Sequence, residues 1–172
     1  MDKIIKIFIL ALVCLSCTNK ERFERDNNKI IFRYSRFITV DFDERIIKVN
    51  YAGLKYSSVI NLSNREDSLI INSFNKNKIY EVDGEFAYPD CPWLMPSFED
   101  RIEIYIDKKL KSRILINSKP NCVSKTPSVS SQEYRIVQFK DDIKKILENN
   151  GDFKISLDTL KKFQKQKKVL FL

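Results

Sequence analysis

The chain predicts an α+β domain in which an antiparallel strand meander is covered by a helix, followed by a second hairpin and closing C-terminal helices. Three observations carry that expectation. Apolar residues alternate with polar ones from Lys29 to Ile60 and again from Ile102 to Asn117, a helix-capping signature lies between those two stretches, and apolar residues recur at three- and four-residue intervals from Ile136 onward.

In chain order, Ile30 to Tyr34 reads as a first strand. Ile38, Val40 and Phe42 then alternate with Thr39 and Asp41, Asp43-Glu44 interrupts, and Ile47, Val49 and Tyr51 alternate with Lys48 and Asn50, which is a hairpin pattern. After the Ala52-Gly53 break, Leu54 to Ile60 completes four strands. Such a sheet has one apolar face that needs a cover. Ser63 and Glu66 stand at capping-box spacing, Asp67 adds negative charge to the first turn, and Leu69, Ile70 and Phe74 follow at helical intervals, so a helix is expected over Asn64 to about Lys76.

The second hairpin is expected from Ile102, Ile104 and Ile106, a Lys108-Lys109 turn, and a return over Arg113 to Asn117. Ile136, Phe139, Ile143 and Ile146 or Leu147 mark an amphipathic helix that Gly151 would stop. A last short helix, capped by Ser156 and running from Leu157 to about Lys167, would carry Leu160 and Phe163 inward. This order of elements resembles that of small bacterial envelope domains.

Composition excludes much chemistry. At 172 residues the chain has the length of one domain, and 43% apolar with 31% charged residues is a globular balance. The absence of histidine removes Ser-His-Asp, Cys-His and imidazole-metal sites together. Three isolated glycines, Gly53, Gly84 and Gly151, write neither a phosphate loop nor a dinucleotide fingerprint. No catalytic residue, metal ligand or cofactor is therefore expected.

The first residues carry an address. Lys3 and Lys6 precede an apolar run from Ile7 to Leu15, then Ser16 and Cys17, the layout of a signal peptide. That run is well short of the roughly 20 residues a spanning helix needs. Leu15-Ser16-Cys17 resembles the end of the lipobox of bacterial lipoproteins, with Cys14 where that pattern usually has an aliphatic residue. The resemblance implies lipid attachment at Cys17, a membrane as partner, and a bacterial cell-envelope location. Thr18 in place of Asp after the cysteine implies the outer membrane. Residues 1–16 then form the signal peptide, 17–28 the lipidated cysteine and a solvated tether, and 29–172 a single α+β domain. Removing Lys3, Lys6 and Asp2 from 31 basic and 23 acidic residues leaves a mature chain near +7.

Within that domain Cys91 and Cys122 flank the second hairpin and are candidates for a disulfide, with two separate buried thiols as the competing arrangement. Gly84 to Asp100 holds three of the five prolines and the only tryptophan. It reads either as a rigid loop presenting Tyr88, Trp93 and Phe98 to a protein or glycan, or as a flap whose aromatics finish the core. Asp41, Asp43 and Glu44 read as a solvated turn. Lys161, Lys162, Lys165, Lys167 and Lys168, followed by Val169 to Leu172, form a basic patch with an apolar end that would suit an anionic lipid surface if it does not simply face water. Nucleic acid fits the charge but not the compartment, and is not expected as a partner.

The function expected is a non-catalytic, lipid-anchored envelope protein with a binding or structural role. The alternative is an immunity or inhibitor lipoprotein that blocks a toxin or hydrolase in the periplasm. A third class, an enzyme working through carboxylates alone, needs two of them facing across a cleft.

Overall fold

A computed structural model describes residues 28–88, 99–117 and 131–167. The strands are β1 (Asn28–Ser35), β2 (Ile38–Asp41), β3 (Ile46–Tyr51), β4 (Leu54–Val59), β5 (Gly84–Tyr88), β6 (Glu99–Ile106) and β7 (Lys109–Asn117). The helices are α1 (Asn64–Lys76), α2 (Gln132–Asn149) and α3 (Gly151–Lys167), with a 3₁₀ turn at Ile79–Glu81 after α1. The fold is α+β: one sheet in the order β4-β3-β2-β1-β6-β7-β5 lies under the helices.

The sheet is built from two hairpin units joined at β1. Its N-terminal half is the expected meander. Its other half is attached because β1 also pairs antiparallel with β6, Ile30 opposite Ile104 and Phe32 opposite Ile102. Ile30, Phe32, Ile38, Val40, Ile47, Val49, Ile102, Ile104, Ile114 and Ile116 are all buried. Period-two alternation puts these side chains on one face, and the helices close it with Phe74, Phe139, Ile143, Leu147, Phe153 and Leu160. Phe74 and Phe139 meet edge-to-face, 5.8 Å between ring centres, which fixes α1 against α2.

The local rules act as the sequence implies at several points. The Ser63 hydroxyl accepts from the Glu66 amide while the Glu66 carboxylate accepts from the Ser63 amide, so both bonds of the capping box are made. Ala52 and Gly53 turn β3 into β4 with φ of 40° and 93°, left-handed values that match the strand twist of a tight hairpin.

Four expectations need correction. The β6–β7 turn falls at Asp107-Lys108, φ 49° and 63°, one residue before the Lys pair. α2 ends at Asn149, next to Gly151 as expected, but the last helix opens at Gly151 itself and not after Ser156. Asn150 caps it, its side-chain oxygen accepting from the Phe153 amide at 3.1 Å, and Ser156 is buried inside the helix with its hydroxyl on that of Ser58. Asn28, expected at the end of the tether, is the first residue of β1. Gly84 to Tyr88, expected as loop, is a strand pairing parallel with β7, Glu85 opposite Arg113 and Phe86 opposite Ile114. The chain reaches β7 from β5 by way of β6, while α1 and the 3₁₀ turn carry it from β4 at one edge of the sheet to β5 at the other.

Asn150 is the bolt of the helix corner. Its amide nitrogen donates to the Asn61 carbonyl at 3.0 Å and to Glu66 at 3.2 Å, while Asp152 accepts from the Asn61 amide at 2.8 Å. Asn150→Ala is expected to lower the unfolding free energy by about 1–2 kcal/mol in urea titration, more than Ser156→Ala, because a buried cap and its partners are orphaned together. Lys108→Gly is expected to raise it by about 0.5–1 kcal/mol, since a left-handed turn position favours glycine.

Candidate functional site

Of the residues singled out in sequence, Tyr88 is placed. It is half-buried at the end of β5 opposite Ile116, on the face the helices cover, so it belongs to the sheet edge and not to an exposed loop. Cys17, Cys91, Trp93, Phe98 and Cys122 lie outside the described residues. Lys161, Lys162 and Lys165 lie on the exposed side of α3, while Leu160 is buried and Phe163 packs on Tyr51 with ring centres 6.2 Å apart. Lys168 and Val169 to Leu172 are outside the described residues, as is the side chain of Lys167. Among the described residues no three carboxylates or thiols converge as a metal site would need, and no helix is long and apolar enough to cross a membrane.

Three polar arrangements were not foreseen. The first is buried between sheet and helices. Asp100, two residues before Ile102 and hence on the covered face, is 2% exposed and lies 2.7 Å from the Lys144 ammonium on α2. Lys144 also stands over the Tyr34 ring, 5.2 Å from its centre, and the Tyr34 hydroxyl donates to Glu148 at 2.7 Å. Burial pushes the Asp100 carboxyl above its ordinary value although Lys144 pulls it down, and burial with the Glu148 bond pushes Tyr34 up to about 12. The pair is held as a cross-brace from β6 to α2.

The second lies on the uncovered face. Arg113 on β7 reaches Glu85 on β5 at 2.6 Å and Glu103 on β6 at 3.1 Å, and Tyr105 donates to Glu103 at 3.2 Å. On the same face, where Lys29 of β1 stands opposite Tyr105, Asp41 is buried, not solvated as expected, because the Lys29 ammonium sits 2.7 Å from it and from Glu44, and Asp41 caps the turn by accepting from the Glu44 amide. Burial works against the Lys29 charge, yet bonds to both carboxylates outweigh it and raise the Lys29 pKa. The sequence signal for this cluster was present in the carboxylates, but their partner stands on another strand.

The third is a groove of about 890 Å³ between α1 and α2 on the solvent side. The helices run antiparallel, since Glu66 at the start of α1 is near the end of α2 and Ser73 donates to Asp142 at 2.6 Å. Leu69, 46% exposed, and half-buried Ile146 line it, and Arg65, Lys76 and Lys145 stand around it. None of these three cations forms an ion pair among the described residues. The two carboxylates beside them are engaged elsewhere, Glu66 in the capping box and Asp142 on Ser73. Bonds from Ser63 and Asn150 hold the Glu66 carboxyl below its usual range against the cost of its burial. Helical spacing groups Leu69 with Ile70 and Phe74, whereas the structure leaves Leu69 exposed on the groove side of α1, so spacing alone does not reveal the groove.

Comparison with known proteins gives no matching family model, no matching curated protein and no matching solved structure.

The Asp100 environment sets a pH dependence. Its folded pKa lies above its unfolded value of about 3.9, so the native state holds the proton more tightly and stability from this group falls as pH rises through that window. In urea titrations from pH 3.5 to 7, the stability of the parent relative to Asp100→Asn is expected to decrease with rising pH. A difference that grows instead would show that Lys144 outweighs burial.

Proposed function

We propose that the protein is a lipid-anchored module of the bacterial cell envelope that works by binding a partner and not by catalysis. The observation that carries this reading is Leu15-Ser16-Cys17 behind a cationic start and an apolar run. A lipid at Cys17 would hold the chain on a bilayer, since each buried CH₂ contributes ~0.8 kcal/mol. The first strand starts at Asn28, and a stretch of eleven residues can span at most about 36–40 Å, enough to stand the domain clear of lipid headgroups.

The domain's own chemistry supports binding. The charged side chains the fold buries are spent on structural pairs, Lys29 with Asp41 and Lys144 with Asp100, each joining two elements. The groove between α1 and α2 leaves apolar carbon and three cations in water instead, which is the state of a surface awaiting a partner.

The test is metabolic labelling with radioactive palmitate in a bacterial host. The parent is expected to take up label, lose its first 16 residues by mass, and sediment with membranes. Cys17→Ser is expected to stay unlabelled and uncleaved. Equal labelling and cleavage of both forms would end this reading.

A further inference from the structure

We infer that the α1–α2 groove docks an acidic amphipathic helix of a partner protein, a proposal that rests on the binding role above and names its occupant. The floor and the rim ask for different chemistry. Leu69 and Ile146 offer apolar contact between two antiparallel helices, the setting in which a third helix lays its own apolar stripe into the groove. Arg65, Lys76 and Lys145 offer positive charge, and none of the three forms an ion pair among the described residues.

Spacing selects the occupant. Arg65 and Lys76 stand at opposite ends of α1, about 16 Å apart along its axis, and Lys145 faces the middle of that span from α2. A lone carboxylate or phosphate would meet one cation and leave the others unpaired. Carboxylates spread over three turns of helix would meet all three. A polyanionic glycan matches the charges but has no side chains to cover Leu69 and Ile146, so the groove fits a helix better. Glu66 and Asp142 keep their negative charge in the same lining, so three cations stand against two anions, and the anions' oxygens are already bonded by Ser63, Asn150 and Ser73.

The experiment uses the full chain in detergent micelles and a yeast-displayed library of helices about five turns long. Each carries a fixed apolar stripe, with the flanking positions randomised among Glu, Lys, Gln and Ser. Selection is expected to enrich Glu at the flanks. Binding of the selected helices should fall at least about tenfold for Arg65→Glu combined with Lys145→Glu, and reselection on that double variant should return Lys at the flanks. These positions are exposed, so an unchanged melting curve will show that the double variant is folded.

Three results overturn the proposal: no helix enriched over a Leu69→Asp control, enrichment without charge preference, or selected helices that bind the double variant as tightly as the parent. Heparin binding that depends on Arg65 and Lys145 while no helix is enriched would assign the groove to a glycan and would likewise overturn it. Because these measurements are independent of lipid at Cys17, their failure would leave the anchor intact, and failure of palmitate labelling would leave the groove intact.

Discussion

A sheet that is apolar on one face and polar on the other can be stable in water only if that face is roofed, and β1 is where this constraint is met. Paired on one side with β2 and on the other with β6, β1 makes the meander and the second hairpin into one surface, with Ile30 and Phe32 at its middle. Two separate small sheets would each have left their apolar faces too narrow to bury against a helix pair. The joined sheet is wide enough for α1, α2 and α3 to lie on it together, and the helix positions follow from that width.

The roof is located by polar contacts as well as by packing. Apolar burial is non-directional, so it draws helices onto the sheet without choosing their registration. Lys144 on Asp100, Tyr34 on Glu148 and the Asn150 bridge to Asn61 and Glu66 are directional, and each couples residues far apart in the chain. An unpaired carboxylate at the depth of Asp100 would be costly, so alternative helix placements that break the pair are disfavoured. This gives the buried charges a structural reason.

The uncovered face and the groove solve different problems. The face opposite the helices carries a ladder from Glu85 through Arg113 to Glu103, in which opposite charges are matched within the sheet. At the α1–α2 groove three cations form no ion pair among the described residues, and Leu69 is in solvent. That contrast within one domain is why the groove, and not the sheet face, is the surface read here as a binding site.

Much of the fold was legible in the sequence because it depends on neighbours in the chain. The meander follows from alternation, α1 from a four-residue capping box, and the second hairpin from its paired isoleucines, all within reach of local sterics and hydrogen bonding. The start of α3 at Gly151 was missed, because the capping role of Asn150 shows only in the bonds its side chain makes to Phe153 and Asn61. The candidate site was less legible. Tyr88 was found as a residue but not as the end of a strand, since a five-residue parallel edge acquires its pairing only from β7, which follows it by more than twenty residues. Whether Asp41 and Asp100 sit in water or in the interior depended on Lys29 and Lys144, and the groove exists only because α1 and α2 lie antiparallel. The sequence by itself determined the elements, the apolar face and the lipobox-like start. Only the tertiary structure decided which charges are consumed in pairs and which are left facing solvent, because that depends on distances between residues that the chain order does not specify.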